Sequence, residues 1–194
     1  MPEPRAIIFD CDGTLADTMP SHYEAWMTIL ARYELTMSED RFYELGGWPT
    51  RKVAELLARE AGREVDLAQL SEEKEAMFEQ CVHLVQPIRP VLEVVHAHRG
   101  RIPIAVATGA VRRICERILR QIELHDTFDA IVSADDVNRH KPQPDIFLEA
   151  ARLLGVAPAH CRVYEDTDPG IEAAKRAGME PVDVRDFYTP RRVT

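Results

Sequence analysis

A chain of 194 residues has room for one domain of ordinary size, or for one domain carrying a modest insertion. Hydrophobic residues at 45% and charged residues at 29% match a globular protein rather than a disordered or membrane chain. The formal net charge of -9 gives no general attraction to nucleic acid or anionic lipid, so any anion must be met by a few placed cations or by a metal.

No apolar run approaches the ~20 residues that span a bilayer. The opening M-P-E-P-R, followed only by the short run to Phe9, does not read as a signal peptide. Cys11, Cys81, Cys115 and Cys161 form no C-x-x-C pair and no zinc spacing, and read as reduced thiols of a cytoplasmic protein.

In chain order, A-I-I-F (6–9) reads as a buried strand that runs straight into Asp10, Cys11 and Asp12. Period-two alternation puts the two aspartates on one side, ~6–7 Å apart. Cys11 between them turns away and reads as packing. From 17 to 86 the chain changes character. Helical stretches are predicted over 19–33, 38–45, 50–61 and 66–85, with G-G-W-P (46–49) as a break. His22 and Trp26, four apart, share a helix face. Asp17 reads as a cap for the first of these helices.

Strand–helix alternation follows. Strands are predicted over 102–107, 130–133 and 161–164, with a weaker one over 181–184. The helix at 111–122 carries Val111, Ile114, Cys115, Ile118, Leu119 and Ile122 on one stripe. The next, 144–154, is stopped by Gly155. A third spans 169–177, with Asp168 as N-cap and Pro169 at the first helical position. The fold class is therefore α/β: a Rossmann-like parallel sheet with helices on both faces, plus an inserted all-helical domain. The expected boundaries are 1–16 and 87–194 for the sheet domain and 17–86 for the insert.

Ligands of open parallel sheets bind beyond the carboxyl ends of the strands. Asp10 and Asp12, Thr108 and Gly109, Asp135 and Asp136, and Glu165 and Asp166 all fall there. Asp10, Asp12, Glu165 and Asp166 together would repel one another without a cation, and hard oxygen ligands suit Mg2+. Lys141 taken alone is a solvent lysine before a proline turn. Beside a metal-bound carboxylate it would bind an anion that bridges to the metal. Thr108–Gly109–Ala110 offers a hydroxyl and backbone N–H groups at a helix start, a seat for phosphate. Asp135 and Asp136 read as groups supporting Lys141. Together these parts describe phosphoryl chemistry: a carboxylate nucleophile, a second carboxylate for proton transfer, a lysine and a metal.

At this point the chain resembles the haloacid dehalogenase superfamily of phosphatases. The motifs are D-C-D-G-T-L-A-D-T, V-A-T-G, K-P-Q-P-D-I-F and E-D-T-D-P-G-I-E-A-A-K-R-A-G-M, in order. The resemblance implies that Asp10 attacks phosphorus and that Asp12 exchanges the proton. It implies that Thr108, Gly109 and Lys141 hold the phosphate. Asp10, Asp12 (through its carbonyl), Asp166 and Glu165 would hold Mg2+. The helical insert, placed between the first two motifs, is similar to the mobile cap of the β-phosphoglucomutase-like subfamily. His22, Trp26, Trp48, Thr50, Arg51 and Lys52 are its candidate substrate contacts. Pro49–Thr50 stands where the mutases carry Ser-Arg. With H-x-x-A-W (22–26) and P-V-D-V-R (181–185), this resembles the fructose-1-phosphate and 6-phosphogluconate phosphatases. A hexose-phosphate mutase is the alternative. The expected partner is a small phosphorylated metabolite, with no nucleic acid and no membrane, acted on by a monomer or weak dimer.

Overall fold

The computed structural model describes residues 3–46 and 48–193, so Gly47 of the G-G-W-P break lies outside them. Among these residues the sheet contains β1 (Ala6–Phe9), β4 (Ile104–Ala107), β5 (Ala130–Val132), β6 (Cys161–Glu165) and β7 (Glu180–Asp183). Two-residue strands β2 (Ala16–Asp17) and β3 (Gln86–Pro87) pair antiparallel apart from it. The sheet order is β5-β4-β1-β6-β7, and every pairing is parallel.

The helices joining the strands are α5 (Arg89–His98), α6 (Arg112–Gln121), α7 (Asp145–Leu154) and α8 (Asp168–Arg176). Parallel crossovers are right-handed. Moving from β1 to β4 to β5 therefore puts α5 and α6 on one face. Doubling back to β6 and β7 puts α7 and α8 on the other. Alternate residues bear this out: Ala6, Ile8, Ala105 and Val163 pack with Ile146, Phe147, Ala150, Ala173 and Ala174. The central strands β1 and β4 are apolar throughout because both faces are covered, and each fully buried Ile or Phe contributes about 1.5–3 kcal/mol. The order reverses between β1 and β6, which opens the crevice of an open α/β sheet at their carboxyl ends.

Three local readings change. The cap of α8 is Thr167, not Asp168: its hydroxyl accepts the Gly170 N–H at 3.1 Å, and the helix takes in Asp168. Asp17 does not cap the helix that follows it, whose N-cap is Thr18. Its Oδ2 instead accepts the Tyr188 hydroxyl at 2.7 Å. The helix expected to run to 85 stops at Cys81, and a 3-10 turn, Val82–Leu84, follows.

The contacts divide the chain into two units. The sheet unit runs to Asp17 and resumes over Gln86–Pro190. The helical unit takes Thr18–Val85 and the tail from Arg191. The helical unit holds α1 (Met19–Arg32), α2 (Glu39–Glu44), α3 (Thr50–Glu60) and α4 (Leu67–Cys81) around its own core of Trp26, Ile29, Leu30, Phe42, Leu57 and Leu70. Ser38 caps α2 by accepting from Arg41 N, and Asp66 caps α4 by accepting from Ala68 N and Gln69 N. Tail residues lie on α2: Arg192 reaches Asp40 at 2.5 Å, and Val193 N donates to Glu39 at 2.6 Å.

Candidate active site

Asp10 is the first residue past β1, and its N–H donates to Tyr164 O of β6 at 3.0 Å. The chain then turns sharply. The Cys11 carbonyl accepts from Leu15 N and Ala16 N, each at 3.0 Å. Gly13 sits at φ 81°, where a side chain is strained, and a Cβ there would collide with the Asp166 carboxylate. The D-G-T turn is thus folded against the end of β6. Thr14 completes it by donating its hydroxyl to Asp166 Oδ1 at 3.0 Å.

Lys141 arrives from the segment after β5. Its Nζ lies 2.6 Å from Asp10 Oδ1 and 2.7 Å from Glu165 Oε2. Glu165, fully buried, is anchored from its other oxygen, which accepts from Asp166 N, Thr167 N and the Thr167 hydroxyl at 3.1, 3.0 and 2.8 Å. A Cβ on Gly170 would collide with this side chain. The α8 start can therefore approach Glu165 only as glycine.

The electrostatics follow from burial and crowding. Burial pushes the Asp10 carboxyl well above its usual range. Lys141 opposes the shift, and Glu165 and Asp166 add to it. Burial and then Glu165 lift Asp166 to about 7, against the pull of the Thr14 hydrogen bond and Lys141. Burial alone would lower the Lys141 pKa, but Asp10 and Glu165 outweigh it and raise it. One ammonium group thus faces three carboxylates. Asp10, Glu165 and Asp166 each offer an oxygen within 4.8 Å of the others. Such an oxygen set fits a hard divalent cation, which would let all three ionise.

Thr108 and Gly109 follow β4, whose register with β1 ends at Phe9 opposite Val106, one residue before Asp10. Thr108 is buried, and its Oγ1 accepts from Ala110 N at 3.1 Å, so that N–H is engaged within the loop. Gly109 is open, with nothing near the place of a Cβ. Asp12 is outside the oxygen trio, though its charge acts on Asp166. Cys11 is fully buried and packs toward Cys115. Asp135 and Asp136 bond to Arg112 rather than to Lys141.

In the helical unit, His22 and Trp26 meet a lysine that sequence reasoning passed over, and Thr50 reaches its neighbour Glu75. Lys74 is only 3% exposed. Its Nζ lies 3.0 Å from His22 Nδ1, 3.1 Å from Glu75 Oε1, and over the rings of Trp26 and Phe78 at 5.8 and 5.5 Å. His22 stacks on Phe78, and the Thr50 hydroxyl donates to Glu75 at 2.6 Å. Trp26 is a core residue, whereas Trp48 is 52% exposed. Arg51 and Lys52 are exposed in the first turn of α3. In the sequence, S-E-E-K-E looks like a solvated helix face. The only hint of Lys74 is that it stands four before Phe78.

The profile of the haloacid dehalogenase-like hydrolases matches residues 7–184, and the chain belongs to that family. Within the family it is an enzyme of the phosphatase kind. It is 42% identical over 180 residues to the fructose-1-phosphate phosphatase YqaB of Escherichia coli, covering 92% of this chain and 95% of that one. It is 30% identical over 187 residues to the β-phosphoglucomutase of Bacillus subtilis, covering 93% and 83%. Among solved structures it resembles CbbY from Rhodobacter sphaeroides in complex with phosphate, with a TM-score of 0.76, 26% identity, and coverage of 92% and 84%. Among the described residues no helix is long and apolar enough to cross a membrane.

Proposed function

We propose that this protein is a Mg2+-dependent phosphatase that hydrolyses a small sugar phosphate of the fructose-1-phosphate or 6-phosphogluconate type. The observation that carries the reading is the Asp10–Lys141–Glu165 array at the β1/β6 switch point. The likeness to YqaB supports the substrate class.

Asp10 supplies the nucleophilic oxygen. It attacks phosphorus, the bond to the ester oxygen breaks, and Asp12 gives that oxygen its proton. Water then attacks the aspartyl phosphate, Asp12 takes the water's proton, and phosphate leaves with Asp10 restored. Lys141 and the Thr108 hydroxyl neutralise charge on the transferring group. Asp10, Glu165 and Asp166 would hold Mg2+, which supplies charge neutralisation for the phosphoryl oxygens. Glu165 also fixes Lys141 in place. In the helical unit, the Lys74 array is the candidate for recognising the rest of the substrate. The buried, free cysteines accord with a cytoplasmic enzyme.

Phosphate release from a panel of sugar phosphates with Mg2+ tests the reading. Release with a preference for fructose 1-phosphate or 6-phosphogluconate is expected. Interconversion of β-glucose 1-phosphate and glucose 6-phosphate with little net release would favour the mutase instead. No turnover of any phosphomonoester, p-nitrophenyl phosphate included, would sink both.

A further inference from the structure

Asp136 and Arg112 are both largely outside the reacting groups, yet their contacts close around the phosphate-seat loop. Arg112 opens α6, directly after Thr108–Gly109–Ala110–Val111. Its Nη2 donates to Asp136 Oδ2 at 2.7 Å and to Ile131 O at 2.9 Å, and its backbone N–H donates to Asp135 Oδ2 at 2.8 Å. The same Asp136 oxygen accepts from the Ser133 N–H and hydroxyl, each at 2.7 Å, which closes a capping box over Ala134–Asp136.

The segment so fixed is what holds the loop at both ends. Thr108 N donates to Val132 O at 2.9 Å, and Ala134 N donates to Ala110 O at 3.0 Å. Between those two bonds hangs Gly109, and Ala110 N turns back to set the Thr108 hydroxyl. Those two backbone bonds tie the loop to this segment. The loop's shape therefore depends on where 132–134 stand: pairing with β4 places Val132, and Asp136 with Arg112 holds the turn that follows it.

The balance of magnitudes favours a geometric role over a stabilising one. The two side chains are 41% and 34% exposed. A half-exposed ion pair contributes little to global stability. A displacement of a binding group by an ångström costs binding and rate far more.

We propose that Asp136, acting through Arg112, is a positioning residue for the anion seat Thr108–Gly109–Ala110. This rests on the phosphatase reading for its consequence in turnover, but its primary readout is affinity for inorganic phosphate.

The test compares wild type with R112A, D136N and R112K in the full chain with Mg2+. R112A leaves the Asp136–Ser133 cap in place, so it keeps the test sound if D136N unfolds. Phosphate affinity is read by calorimetry and by inhibition of turnover, with melting temperature alongside. R112A and D136N should weaken phosphate binding about tenfold with little change in melting temperature, and R112K should recover part of the loss. Phosphate affinities of R112A and D136N within about twofold of wild type would overturn the proposal, as would failure of R112K to recover any affinity. Wild type that binds phosphate but hydrolyses no ester would end the phosphatase reading while leaving this comparison decisive. Wild type that binds no phosphate would overturn both.

Discussion

Lys141 and Asp10 stand 131 positions apart in the chain and meet at 2.6 Å. On the proposed mechanism Asp10 brings the attacking oxygen, and Lys141 supplies the charge that holds it. Asp10→Asn should reduce turnover about a thousandfold or more with the fold intact by circular dichroism. Substantial retained activity would refute the nucleophile. Lys141→Ala leaves buried carboxylates without their cation, a change that costs about 3–5 kcal/mol in such pairs. The melting temperature should drop, and added Mg2+ should restore part of the loss.

Chelation tests the oxygen trio directly. EDTA should abolish phosphate release, and Mg2+ should restore it. Full activity in EDTA would mean that Asp10, Glu165 and Asp166 work without a divalent cation.

Gly170 and Glu165 are in each other's way for any larger residue. Gly170→Ala should push Glu165 off Lys141. Both activity and melting temperature should fall, although alanine is otherwise the better helix former by about 1 kcal/mol. An unchanged or higher melting temperature with full activity would show that Glu165 has room to move.

Lys74 offers a sharper test of the helical unit. Lys74→Met keeps an unbranched apolar stem but removes the charge. It should lower kcat/KM for sugar phosphates about tenfold, while p-nitrophenyl phosphate, which has no polyol, is affected much less. Equal losses on both substrates would assign Lys74 to the chemistry or the fold rather than to recognition.

Glu75 gives a pH signature. Burial would raise its carboxyl, but Lys74, the Thr50 hydroxyl and His22 outweigh burial and hold it below the ordinary 4.5. A carboxyl lowered on folding contributes stability above its unfolded value and loses it as pH falls through the folded one. Wild type should therefore melt higher than Glu75→Gln at neutral pH, and the gap should shrink as pH drops below 4.5. A gap that does not change with pH would show that Glu75's charge is not involved.

The central strands were legible because they are buried on both faces and so are apolar without interruption, as at Ile7–Phe9 and Ile104–Ala107. The candidate-site acids were legible because they stand at strand carboxyl ends: Asp10 just past β1, and Glu165 and Asp166 at the end of β6. Contacts made only in three dimensions were not. Thr167 and Asp168 are both capping residues, and only the backbone decides which one is outside the helix. Lys74 sits in a run of charge whose burial depends on Trp26 and Phe78 from two helices. Arg112 and Asp136 meet across 24 positions, a pairing with no periodic signature.

The placement of β1 has a consequence for how the molecule is made. β1 is synthesised first, yet its neighbours in the sheet begin at Ile104 and Cys161. The helical segment Thr18–Val85, which supplies that unit's core, leaves the ribosome while that strand is still unpaired, and only its tail from Arg191 comes later. Nascent chains should therefore gain protease resistance in the helical segment first. Activity should come only after β6 emerges, because Glu165 and Asp166 arrive with it.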